Sequence, residues 1–154
     1  MGIRVIQENK RAYHDYDILE KVEAGIILNG QEVKSVKAGR MSIKGSFVIL
    51  KNNEFYLVGA NIPPWQPKNI TGEYNPERDR KLLLKKNEIK YLIGKFREKG
   101  LTFIPLKVYS KNGLIKLEFA IAKYKKKYSK KEKLKERSIK KEIERKLKSS
   151  SIWG

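Results

Sequence analysis

His14 is the single histidine of the chain, and it lies in Tyr13-His14-Asp15-Tyr16-Asp17. A carboxylate beside an imidazole can orient it as a general base, which would make Asp15 or Asp17 its partner. No nucleophile stands beside it at a motif spacing, and a catalytic base needs positioned partners. The plainer reading is a hydrogen-bonding or stacking side chain. Asp15 and Asp17 are two apart on an expected strand, so they could share a face and hold Mg²⁺ for phosphodiester cleavage. The preferred reading is that they balance Lys10 and Arg11. Gly39 to Gly45 lacks the Gly-Lys-Ser/Thr ending of a phosphate loop. The chain has no Cys, which removes disulfides, thiolate nucleophiles and Cys-ligated zinc. The expectation is no catalytic residue, no metal site and no cofactor.

Charge says more than catalysis does. Among 154 residues there are 36 Lys and Arg against 17 Asp and Glu, a formal net charge of +19. Such self-repulsion does not help a free-standing fold. A polyanion offsets it, and nucleic acid is the obvious one. Membrane phospholipid is the second candidate. However, no apolar run approaches the roughly 18 residues of a membrane span. The first ten residues lack the apolar core of a signal peptide, and Ile6 stands where a myristoylation signal wants Ser or Thr. The expected compartment is the cytoplasm.

Cations and flat rings alternate in Asn9-Lys10-Arg11 followed by Tyr13, His14 and Tyr16. Phosphates suit the first and unstacked bases the second. Arg78-Asp79-Arg80-Lys81 and Lys95-Phe96-Arg97 form further basic clusters, each of which could also be a solvated face.

The elements that must position these groups follow from pattern. Phe47 to Lys51 and Phe55 to Ala60 are apolar runs joined by Asn52-Asn53-Glu54, a hairpin signal. Thr102 to Ser110 and Leu114 to Lys123 flank Asn112-Gly113, which suits a type I′ turn because both positions need positive φ. Ile115, Leu117, Phe119 and Ile121 alternate with other residues, giving a half-buried strand. Ile18 and Ile26 to Leu28 predict two more strands, with Glu23-Ala24-Gly25 between them. Ile89, Leu92, Ile93 and Phe96 fall on one helix face, closed by Gly100. Gly94 within that helix costs about 1 kcal/mol against Ala, so close packing is expected there. A shorter helix covers Gln31 to Ala38. Pro63-Pro64-Trp65-Gln66-Pro67 opens a loop running to about Arg78. Many short antiparallel strands with few helices suggest a small closed barrel, which leaves no edge strands.

Residues 123–154 carry 14 Lys and Arg against 4 Glu. The chain divides into a basic arm (1–9), a body (10–122) and a basic tail (123–154). Ile139, Ile143 and Leu147 make a narrow helical stripe in the tail. The lysines before Glu132 repel one another, so this tail is expected to be disordered alone and helical once neutralised.

Many short segments also resemble one family in order and spacing. They include Asn9-Lys10-Arg11-Ala12, His14-Asp15-Tyr16, Glu23-Ala24-Gly25, Glu32-Val33-Lys34-Ser35 and Ala38-Gly39-Arg40. They continue through Gly59-Ala60-Asn61-Ile62, Arg80-Lys81-Leu82-Leu83-Leu84, Gly100-Leu101-Thr102, Lys111-Asn112-Gly113 and Leu134-Lys135-Glu136-Arg137. From about Asn9 to Leu147 the sequence resembles the small protein B family, the tmRNA-binding proteins of bacterial trans-translation.

The resemblance implies a mainly β fold with helices: a closed six-stranded Greek-key barrel related to the OB-fold. It implies an RNA face made by Asn9, Lys10, Arg11, His14, Glu23, Leu83 and Lys116. It implies a tail that becomes helical on the ribosome, where Lys123, Lys125, Lys126, Tyr128, Lys130, Lys131 and Arg137 would contact the small-subunit decoding centre and the empty mRNA channel. The implied partners are tmRNA, the ribosome and, through tmRNA, elongation factor Tu and alanyl-tRNA synthetase. No membrane is implied, and the chain would act as a monomer in a one-to-one complex. The function would be to support tmRNA alanylation and deliver it to stalled ribosomes.

Two positions depart from the family pattern. Tyr124-Lys125-Lys126 stands where Gly-Lys-Lys is usual, and Tyr128-Ser129 where His-Asp is frequent. A ring at Tyr128 can stack but cannot become cationic. Trp153 has no assigned role. A structural ribosomal-type RNA-binding protein fits the same composition.

Overall fold

The computed structural model describes residues 2–66 and 74–125. Along the described chain run β1 (Ile3–Glu8), α1 (Lys10–Asp15), β2 (Tyr16–Ile26), α2 (Gly30–Lys37), β3 (Phe47–Lys51), β4 (Glu54–Val58), β5 (Arg80–Leu83), α3 (Lys86–Phe96), β6 (Thr102–Lys111) and β7 (Leu114–Tyr124).

Local chemistry accounts for several boundaries. Asn52 and Asn53 both take positive φ, 53° and 61°, so β3 and β4 join through a two-residue turn and Glu54 already belongs to β4. Asn112 and Gly113 do the same between β6 and β7. This is the backbone twist a type I′ turn requires. The side chain of Asn29 accepts the N–H of Glu32 at 2.9 Å while the Glu32 carboxylate accepts the N–H of Asn29 at 3.0 Å. That reciprocal box starts α2. Ile89, Leu92, Ile93 and Phe96 of α3 all pack on the core, as their spacing predicts.

The strands form one antiparallel sheet in the order β1-β6-β7-β2-β5-β4-β3. Ile115, Leu117, Phe119 and Ile121 of β7 face a single large core with Phe55, Phe103 and Leu57. The closed six-stranded barrel expected above is not what forms. There are seven strands, and the sheet is curled but open. β3 comes close to β6, yet no ladder joins them among the described residues. The reason is β1. Residues read as part of an arm pair with Lys107–Lys111 of β6 and occupy that edge.

Two further expectations change. Glu23-Ala24-Gly25 does not separate two strands, because β2 runs unbroken through it. A Cβ added at Gly94 would meet nothing within 4 Å, so no close approach explains that glycine.

One ionic network ties α2 to the sheet. Glu32 and Arg80 are both fully buried. Arg80 donates to Glu32 Oε2 from Nε at 3.0 Å and from Nη2 at 2.8 Å, and also to the carbonyls of Ala60 and Pro76. Arg78 adds donors to both oxygens of the same carboxylate. Burial pushes the Glu32 carboxyl up. The hydrogen bonds from Arg78, the Asn29 N–H and Arg80 outweigh it and hold the group below the usual carboxylate range.

Glu32→Gln leaves Arg80 buried without its counter-charge and should cost about 3–5 kcal/mol in urea unfolding. Because the folded pKa of Glu32 is lowered, its contribution is complete above about pH 5 and is lost as pH falls through the folded value. The acid limb of a stability–pH curve should therefore flatten in the variant. Gly94→Ala should stabilise the protein by about 1 kcal/mol in the same assay, since helix propensity improves and no atom is displaced.

Candidate nucleic-acid interface

The outer face of the sheet is covered at one end. There Ala12 of α1 lies on Ile104, Leu106, Ala120 and Ala122. The small side chains let the helix approach closely, and the rest of that face stays open.

Register sets the open part. Directly opposed residues share a face, so Val5, Tyr109, Lys116, Gly25 and Leu83 make one row across five strands. Lys107, Glu118 and Glu23 make a neighbouring row. Gly25 sits between Lys116 and Leu83. A Cβ there would stand 3.2 Å from the Leu83 Cβ, tighter than ordinary contact. Leu83 is left 55% exposed, an apolar platform beside cations. An open groove of about 890 Å³ runs along it, lined among others by Lys21, Glu23, Lys85, Tyr91 and Lys116.

Glu23 is fixed rather than free. Its Oε2 accepts a hydrogen bond from the Tyr109 hydroxyl and lies 3.5 Å from Lys111 Nζ. The Tyr109 hydrogen bond first, then the positive charges of Lys111 and Lys116, hold its carboxyl below the ordinary range. Burial and the adjacent carboxylate push the Tyr109 phenol up, so the phenol remains the donor. Among the described residues Oε1 has no partner. It can accept from a sugar hydroxyl or a base amine, as unpaired RNA offers.

The other expected residues lie elsewhere. Asn9 donates from Nδ2 to the Pro105 carbonyl at 3.0 Å, and its N–H bonds the Leu106 carbonyl at 2.7 Å. Its amide thus pins α1 to β6. Arg11 pairs with Asp15 at 3.3 Å. His14 Nδ1 is 3.5 Å from Asp15 Oδ1, and its ring is largely exposed. Lys10 and Arg11 line a second hollow of about 640 Å³ with Lys44 and Phe47. Lys123, next to last in β7, lies opposite Asp17, so Lys123 and Lys125 join this group at the same end of the molecule. From Tyr16 to Gly25 β2 spans roughly 30 Å at about 3.3 Å per residue. The sequence-predicted residues therefore fall into two clusters, Glu23–Leu83–Lys116 and Asn9–Lys10–Arg11–His14. Lys126, Tyr128, Lys130, Lys131 and Arg137 lie outside the described residues.

Most cations of the second and third basic clusters are paired. Arg80 is buried on Glu32, Arg78 is held by the same carboxylate, and Lys81 pairs with Glu54. Phe96 belongs to the core and Lys95 pairs with Glu98. Asp15 and Asp17 do not share a strand, because Asp15 closes α1 and Asp17 lies in β2. Among the described residues no His, Cys, Asp or Glu cluster could hold a metal ion, and no helix is long and apolar enough to cross a membrane. Sequence reasoning missed Tyr109 and Lys111 as the groups that hold Glu23. Their alternation along β6 was the available signal, but the partner strand was not.

Comparison with known proteins accords with this geometry. The SmpB protein family model matches residues 6–149. The SsrA-binding protein of Sulfurihydrogenibium sp. is 51% identical over 148 residues, covering 96% of this chain and 97% of its own. That of Acetivibrio thermocellus is 48% identical over 147 residues, covering 96% and 95%. A solved chain from a study of tmRNA–SmpB at the centre of the bacterial ribosome is 44% identical. It covers 86% of this chain and 93% of its own, with a TM-score of 0.65. A family model spanning all but the ends of the chain, and relatives alike over their whole length, agree that this chain belongs to the SmpB protein family.

Proposed function

We infer that this protein is a tmRNA-binding adaptor of trans-translation. The observation that carries the reading is the row Tyr109–Lys116–Gly25–Leu83, with the oriented Glu23 carboxylate beside it, in a chain whose relatives are SsrA-binding proteins. In this reading Lys116 meets a phosphate, Leu83 takes the flat face of an unstacked nucleotide, and Glu23 Oε1 accepts from a base edge or sugar hydroxyl. Lys10, Arg11 and His14 form a second contact about one β2 length away, which a bent tRNA-like domain could bridge. Asn9 acts through its hold on α1.

The basic tail is assigned to the ribosome. Lys126, Tyr128, Lys130, Lys131 and Arg137 would follow the decoding centre and the empty mRNA channel, becoming helical there. Support of alanylation and engagement of elongation factor Tu and alanyl-tRNA synthetase would come through the bound tmRNA. The protein itself supplies no chemistry, binds as a monomer in a one-to-one complex and works in the cytoplasm.

Affinity for the tRNA-like domain should fall steeply with salt, by roughly 0.7–0.9 log units per log unit of salt for each phosphate contact. Lys116→Ala should lower that slope by about 1. Filter binding across a salt series checks both values, and equal binding to random duplex of the same length would defeat the assignment. Replacing Lys126, Lys130, Lys131 and Arg137 with Ala in the full chain should abolish peptide tagging of stalled ribosomes. Affinity for the isolated tRNA-like domain should stay within about threefold, as expected when those charges act elsewhere.

A further inference from the structure

The residues at the root of the tail are not simply the end of a strand. The Lys125 N–H donates to the Asp15 carbonyl at 2.9 Å. Its Nζ donates to the Tyr13 carbonyl at 3.1 Å and lies 4.0 Å from Asp17 Oδ1. Both carbonyls lie in the last turn of α1, where the helix leaves acceptors without internal partners and favours a cation. Tyr124, at the position where the family pattern has glycine, meets Tyr16 edge to face at 5.5 Å between ring centroids. Two consecutive residues are thus held by three contacts: a ring pair, a backbone bond and an ammonium clamp.

We propose that Asp17, the α1 carbonyls and Tyr16 form a latch on Tyr124 and Lys125 that sets the direction in which the basic tail leaves the body. The inference rests on the adaptor reading above and adds positioning roles for Asp17 and Lys125. Lys125 then acts on α1 rather than on the ribosome. The physical case is the mismatch in charge. A tail of this net charge leaving a basic body has no electrostatic preference for any one path. A carboxylate and two oriented carbonyls at its root provide one.

Asp17→Lys tests the latch because it repels Lys125 and leaves the tail unchanged. The chain has no cysteine, so Lys34→Cys on α2 and Ser138→Cys in the tail can carry a spin-label pair in the full-length protein. The Asp17→Lys variant should shift or broaden the distance distribution. It should also lower ribosome tagging by about two- to fivefold, the conversion of one exposed ion pair, while tRNA-like-domain affinity does not fall. Lys125→Met should give the same loss, and the double variant no more than either alone, since the two act through one contact. An unchanged distance distribution overturns the latch, and so does a double variant whose losses multiply. If the parent chain supports no tagging, the adaptor reading fails, and the distance measurement still decides the latch.

Discussion

A carboxylate buried without water must be matched in charge and geometry, and Glu32 is matched by two guanidinium groups arriving from the far side of the chain. Arg80 makes four hydrogen bonds and has no exposed surface. Those bonds bring α2, the segment around Ala60 and the start of β5 to one point. β5 in turn carries Leu83, and its register with β2 puts Leu83 against Gly25. The open face of the sheet therefore depends on an interaction made on its other side. Desolvating such a pair is expensive. What it gives in return is a fixed place for β5, a strand of only four residues.

Legibility followed sequence distance. The Asn112-Gly113 turn, the alternation of β7 and the stripe of α3 were all readable, because each depends on residues a few positions apart. The pairing of β1 with β6 joins residues about a hundred positions apart, and nothing local announces it. That strand is also why the barrel implied by resemblance is an open sheet. Arg78-Asp79-Arg80-Lys81 read as a phosphate-binding cluster because composition counts charges without their partners, and Glu32 lies far back in the sequence. Glu23 and Lys116 were assigned to the RNA face through resemblance alone, and the hold of Tyr109 on Glu23 required the register of three strands.

The separation of the two basic regions along β2 has a simple origin. The strand pairs with β7 from Tyr16 to Gly25 along one edge and with β5 at Gly25 and Ile26 along the other. The helix end that receives the tail and the platform near Leu83 are thus two ends of one hydrogen-bonded element. Neither can shift much without disturbing the ladder between them, so the spacing of the two basic regions is a property of the sheet rather than of flexible loops.

The place of β7 in the sheet also governs how the chain is born. Its neighbours are β6 and β2, so the sheet cannot be assembled until Tyr124 has been synthesised. Ile26, at the end of β2, then precedes Leu114 by most of the chain. At about 5–20 residues per second, nascent β2 waits on the order of 5–20 s for its main partner. A strand left unpaired that long is an aggregation hazard unless charged residues guard it. Asp17, Glu20, Lys21 and Glu23 are spread along β2. Charges that later serve the open face would first keep the newborn strand from pairing with its neighbours on a polysome.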